Sequence, residues 1–192
     1  MSTTVQPDTI PVAIRSQIVL NSTERLYTVV DACQAPELIE MARGKFGQPT
    51  RMLFKGKAAA LEEVESFAPF FIPIDLKTDF LEHWAGYLGK NAGILFMSKA
   101  EPRAIFRHLR KIFVVQEEGG QEHFFRFYDP RVLRVYLSTC KRNETTEFFG
   151  PISNIIMEVA DVKLLQTLPY CNEEKSIGSS ISVINLRSDN RE

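Results

Sequence analysis

The sequence predicts an α/β fold: a mixed β-sheet flanked by helices, with a β-hairpin feeding a helix that opens on proline. Three observations carry this reading. Short runs of β-branched and aromatic residues alternate with stretches of helical spacing, as in layered α/β domains. A Gly119-Gly120 pair separates two apolar runs, the pattern of a hairpin turn. Asp129-Pro130 then joins a good helix cap to the residue favoured at the first helical position.

Taken in order, residues 1–24 read as an N-terminal extension, with 12–20 a candidate short strand. The run 26–30 (Leu-Tyr-Thr-Val-Val) is a buried strand by its β-branched and aromatic content. Pro36 opens a helix that carries Leu38, Ile39, Met41 and Ala42, and Gly44 and Gly47 end it. Residues 51–54 make a second short strand and 58–65 an acidic helix. The run 67–74 is a third strand that Pro69 and Pro73 push to an edge or break. Helical spacing of Phe80, Leu81, Trp84, Ala85 and Leu88 predicts a helix over 80–88, and 94–97 reads as a central strand. Ser98 and Glu101 match a capping box, and Pro102 opens the next helix. Val114 and Val115 start the hairpin, which returns through 124–128. Helices from Pro130 and over 144–149, then a strand over 152–159, complete a domain spanning 25–160. Residues 161–192 read as a polar tail with one late strand over 181–186.

Composition narrows the function classes. The 192 residues suit a single domain. A chain of this length buries about 70% of its unfolded surface, so it folds without disulfides or a structural metal. Hydrophobic residues at 44% and charged ones at 24% are globular values. Lys+Arg 23 against Asp+Glu 24 gives a net charge of -1, which argues against a nucleic-acid binder that works through global charge. The first eleven residues lack a basic start and an apolar run, so they do not read as a secretory signal, and no run approaches membrane-spanning length. Cys33, Cys140 and Cys171 are odd in number and far apart, which reads as reduced thiols.

The sharpest polar feature is the helix from Pro102. At about 100° per residue, Arg103, Arg107, Arg110 and Lys111 share one face, opposite Ile105, Leu109, Ile112 and Phe113. This is either a docking stripe for an acidic partner or a phosphate-bearing polymer, or a solvated face balanced by the acidic residues near 62–65 and 117–118. In the run Phe124-Phe125-Arg126-Phe127-Tyr128-Asp129-Pro130-Arg131, strand alternation puts Phe125 and Phe127 on one side and Phe124, Arg126 and Tyr128 on the other. Arg126, Tyr128, Asp129, Pro130, Arg131 and Arg134 are expected to hold the hairpin-to-helix junction together, with Asp129 as the cap.

Ten of the 14 Phe residues divide in two. Phe46, Phe54, Phe67, Phe96, Phe125 and Phe127 are expected in the core. Phe70, Phe71, Phe148 and Phe149 are the candidates for a partner-facing surface.

Enzyme templates find little support. Cys33 or Cys140 would need His83, His108 or His123 brought near in space, and no local nucleophile signature is present. The histidines lack ligand spacing, and no glycine-rich phosphate loop occurs. The expectation is therefore no catalytic residue, no metal and no cofactor. Cys33 after a strand reads as a small buried hydrophobe.

Several segments resemble a known family. They are Leu26-Tyr27-Thr28-Val29-Val30-Asp31-Ala32, Gly93-Ile94-Leu95-Phe96-Met97-Ser98, and Arg107-His108-Leu109-Arg110-Lys111-Ile112-Phe113-Val114-Val115. The most specific is Phe125-Arg126-Phe127-Tyr128-Asp129-Pro130-Arg131-Val132-Leu133, with Phe148-Phe149-Gly150-Pro151 downstream. In order and content these resemble the effector adaptor (chaperone) family of bacterial type VI secretion, long catalogued as a domain of unknown function. The resemblance covers about 25–159, is loose over 48–88, and has Ala92 where an aromatic is common. Many members continue into a variable C-terminal lobe; here 161–192 follow. The resemblance implies a non-catalytic cytoplasmic protein that binds a secreted effector (a toxin) and helps load it onto the spike protein, with no role for membrane. Two other classes are weighed against it. One is a small nucleic-acid-associated module using the same basic helix, and the other a hydrolase built on Cys33, Cys140 or Asp129.

Overall fold

The computed structural model describes residues 23–54, 62–117, 119–159, 164–169 and 182–185. The candidate strand at 12–20, the first part of the acidic helix at 58–61, and Cys171 lie outside the described residues.

The strands in chain order are β1 (Arg25–Asp31), β2 (Arg51–Met52), β3 (Pro69–Pro73), β4 (Gly93–Ser98), β5 (Val114–Gln116), β6 (Glu122–Phe124), β7 (Asn154–Glu158), β8 (Leu164–Pro169) and β9 (Ser182–Asn185). The helices are α1 (Pro36–Arg43), α2 (Phe80–Ala85), α3 (Pro102–Phe113), α4 (Pro130–Thr139) and α5 (Arg142–Phe149). Among the described residues, seven strands form one sheet in the order β2-β3-β1-β4-β7-β8-β9, and β5 with β6 makes a separate hairpin. This is the α/β fold expected, and every pairing among the described strands is antiparallel.

Strand β1 explains the layering. Its residues from Leu26 to Asp31 are all buried, so both faces of the sheet must be covered. Alternation sends Leu26 and Val30 to a core shared with Leu38, Ile39 and Ala42 of α1 and Phe80, Leu81 and Trp84 of α2. Tyr27 and Val29 go to a second core with Ile105, Leu109 and Phe113 of α3, Leu133 of α4 and Phe148 and Phe149 of α5. Three layers result, with the sheet in the middle. Polar groups inside are matched: the Thr28 hydroxyl donates to the Ile94 carbonyl at 2.8 Å, and the Tyr27 hydroxyl donates to that of Ala100 at 2.6 Å.

Pro69 and Pro73 sit at the two ends of β3, next to an edge strand only two residues long, so their missing N–H groups cost little. Gly93 is needed in β4 because a Cβ there would lie 2.2 Å from the Val29 carbonyl oxygen. No helix among the described residues is long and apolar enough to cross a membrane.

Three local expectations need correction. The returning hairpin strand ends at Phe124, not Tyr128, because turn bonds take over: Phe127 N–H to the Phe125 carbonyl and Asp129 N–H to that of Arg126. Strand alternation therefore does not order Phe125 to Tyr128. The Ser98–Glu101 capping box does not form. The Ser98 hydroxyl accepts from Ala100 N–H and donates to the Pro151 carbonyl, while Glu101 turns to Arg25 at 2.5 Å. The sheet also runs on past residue 160. β9 lies where a late strand is expected, but β8 falls in the segment read as polar tail. The edge of β7 offers unpaired backbone groups that a strand of any composition can satisfy.

Candidate functional site

Helix α3 presents the basic face that its spacing predicts. Arg103, Arg107 and Lys111 are exposed and Arg110 is half-buried, while Ile105, Leu109 and Phe113 anchor the other side in the core. Lys111 is already engaged, its Nζ 2.8 Å from Glu147 of α5. The Arg110 guanidinium lies over the Phe106 ring at 5.5 Å, and its Nε is buried without a hydrogen-bond partner. Among the described residues, no carboxylate pairs with Arg103, Arg107 or Arg110.

Beside the buried apolar side, one further contact, not marked by any motif in the sequence, ties this helix to α5. His108, on the flank of α3, places Nε2 2.8 Å from the Phe148 carbonyl at the end of α5. The ring fills the space over Gly150, whose φ is +48°, and a Cβ at that position would come within 2.4 Å of it. Only glycine fits both the backbone and the ring. Burial, as the main cause, holds the His108 imidazole below its ordinary value of 6.5, so it is neutral at pH 7. The sequence signal available was the Gly150 that follows Phe149, but its partner lies 42 positions away (150 less 108).

The junction residues gather around Asp129. The buried Asp129 caps α4, accepting Arg131 N–H at 3.0 Å, and its carboxylate also takes Arg131 Nε at 2.9 Å and Nη2 at 2.7 Å. Arg126 Nη2 donates to Asp31 at 3.0 Å and lies 3.7 Å from Asp129. Arg134 Nη1 donates to the Glu158 carbonyl at 2.8 Å. These bonds tie the ends of β1, the hairpin, α4 and β7 together. Burial alone would raise the Asp129 carboxyl, but the hydrogen bonds and charge of Arg131, with the charge of Arg126, outweigh it and hold it below the ordinary range. The Tyr128 hydroxyl is pushed up to about 12, chiefly by burial and then by the charge of Asp31.

The aromatic assignments partly reverse. Phe70, Phe71, Phe148 and Phe149 are buried, not partner-facing. Consecutive strand residues look to opposite faces, and here both faces are covered, so Phe70 enters one core and Phe71 the other. Phe148 packs on Phe125, Phe127 and Tyr136. Phe67, expected inside, is 47% exposed, and Phe124 is 58% exposed. Both touch the half-buried Phe54.

The thiols and histidines do not come together among the described residues. Cys33 is exposed rather than buried; the slight desolvation its sulfur does undergo, and then the Asp31 charge, push the thiol up. Cys140 Sγ lies 3.0 Å from the Thr145 hydroxyl. His83 meets Lys45, and His123 meets Glu117.

A family model for a domain of unknown function (DUF4123) matches residues 26–147, from β1 into α5, and so takes in both the basic helix and the junction. No curated protein and no solved structure matches the chain. The family match covers well over half the sequence, and the chain belongs to the DUF4123 family, a domain of unknown function.

Proposed function

We propose that this protein is a non-catalytic adaptor of bacterial type VI secretion, which binds an effector in the cytoplasm and helps load it onto the spike protein. The observation that carries the reading is the α3 face: Arg103 and Arg107 project from a rigidly seated helix with no carboxylate partner among the described residues. Arginine is enriched where proteins dock, and an exposed guanidinium with no carboxylate of its own can take one from a partner, at a cost of about 0.5–1.5 kcal/mol in side-chain ordering. The resemblance of the segment from Phe125 to Leu133 to the effector adaptors points the same way. The bonds of Arg126 to Asp31 and of Arg134 to the Glu158 carbonyl support reading that motif as a scaffold between the sheet and α4.

The test is charge reversal. Arg103→Glu with Arg107→Glu is expected to reduce capture of the effector at least tenfold and to leave the melting temperature within about 2 °C, since both side chains are exposed. Unchanged capture would overturn the assignment of the partner surface to this face.

A further inference from the structure

We infer that Arg51, Phe106 and the α3 arginines form one recognition site for a short acidic segment of the partner protein. The inference deepens the adaptor reading, and it rests on that reading for who the partner is but not for the chemistry of the site.

The site is built by the sheet register. Ile94, Val29, Phe71 and Arg51 are successive cross-strand neighbours across β4, β1, β3 and β2. All four therefore stand on the face that α3 covers, and the row leaves the core at Arg51, on the sheet edge. There Phe106 packs on Phe71 at 5.9 Å and carries two guanidiniums, that of Arg51 at 5.3 Å and that of Arg110 at 5.5 Å. Two cations are thus gathered at one ring, and among the described residues no carboxylate pairs with either. The buried Nε of Arg110 has no acceptor. A carboxylate brought in from outside would neutralise this charge, and an Arg guanidinium can donate to it in bidentate fashion.

The dimensions choose the occupant. From Arg103 to Arg110 the helix rises by about 10 Å, which equals about three residues of extended chain. Closed ion pairs bound the stripe at both ends, Arg25–Glu101 on one side and Lys111–Glu147 on the other. A stripe this short, on a chain of net charge -1, suits a few carboxylates and not a long polyanion.

The test uses a fluorescein-labelled Glu-Val-Glu-Val-Glu peptide, with fluorescence anisotropy on the full chain at low ionic strength. Binding is expected to weaken at least tenfold in R51E and in R103E/R107E, and severalfold in F106L. It should stay within about twofold in K111A, because Lys111 is spent on Glu147. Undiminished binding by R51E, equal binding of a Lys-Val-Lys-Val-Lys peptide, or equal binding of a single-stranded oligonucleotide of the same charge would each overturn the site. The two readings can fail separately. If R103E/R107E loses the effector while R51E keeps it, the adaptor stands and this site falls. If the acidic peptide binds through Arg51 but no secretion protein is captured, the site stands and the adaptor falls.

Discussion

Gly150→Ala tests the contact that seats α3 on α5. Gly150 has φ +48° and ψ -114°, a positive-φ conformation outside the left-handed helical well that costs an L-residue at least about 1–2 kcal/mol. The added Cβ would also lie 2.4 Å from His108 Cε1 and 2.8 Å from Nδ1, too close for either atom to remain in place. The ring must swing away, which breaks the bond from Nε2 to the Phe148 carbonyl and removes about 1 kcal/mol more. Together these give about 2–3 kcal/mol. In a chain of this size each kcal/mol moves the melting temperature by about 2–4 °C, so thermal unfolding followed by circular dichroism should show a drop of about 4–12 °C. His108→Ala removes the ring, and on that background Gly150→Ala should retain only the backbone part, a coupling of about 1 kcal/mol. A neutral Gly150→Ala, or strict additivity with His108→Ala, would refute the reasoning.

Other outcomes follow from the same geometry. Asp129→Ala should cost about 1–2 kcal/mol through the lost α4 cap, and denaturant unfolding at an unchanged midpoint would show the cap to be redundant. Phe71→Ala should cost about 3–5 kcal/mol, as for a core aromatic, whereas Phe124→Ser should stay within about 1 kcal/mol; reversed magnitudes would contradict the burial assigned to them. His108 contributes a pH dependence of definite sign. Its folded value lies below the ordinary 6.5, so the unfolded chain takes up the proton first, and stability is lost as pH falls from about 7 toward 5. His108→Asn should flatten that slope in unfolding measured across the range, and an unchanged slope would place its origin elsewhere.

Much of the fold is legible in the sequence because local signals and tertiary structure agree. The 3.6-residue spacing of Ile105, Leu109 and Ile112 marks both the helix and its buried side, and Asp129-Pro130 caps α4 where that pair of residues says it should. Apart from the hairpin return, which local turn bonds cut short, the failures depend on what a segment meets from far along the chain. Phe70-Phe71 looks surplus until the sheet is known to be covered on both faces. Gly150 looks like an ordinary helix stop until His108 stands against it. Ser98 has the spacing of a cap but is drawn instead to the Pro151 carbonyl. Of the candidate site, the four-residue basic stripe on α3 is readable from periodicity. Its lower boundary is not, because Arg51 reaches Phe106 only through the pairing of β2 with β3.

The most direct test of the adaptor assignment is co-purification of the full chain with the products of its neighbouring genes. An adaptor is expected to come down in a stable complex with a toxin-like effector, joined by the spike protein when that is co-expressed, and lost when Arg103 and Arg107 are reversed to Glu. Recovery of the chain alone, with neither an effector nor a spike protein bound, would contradict it.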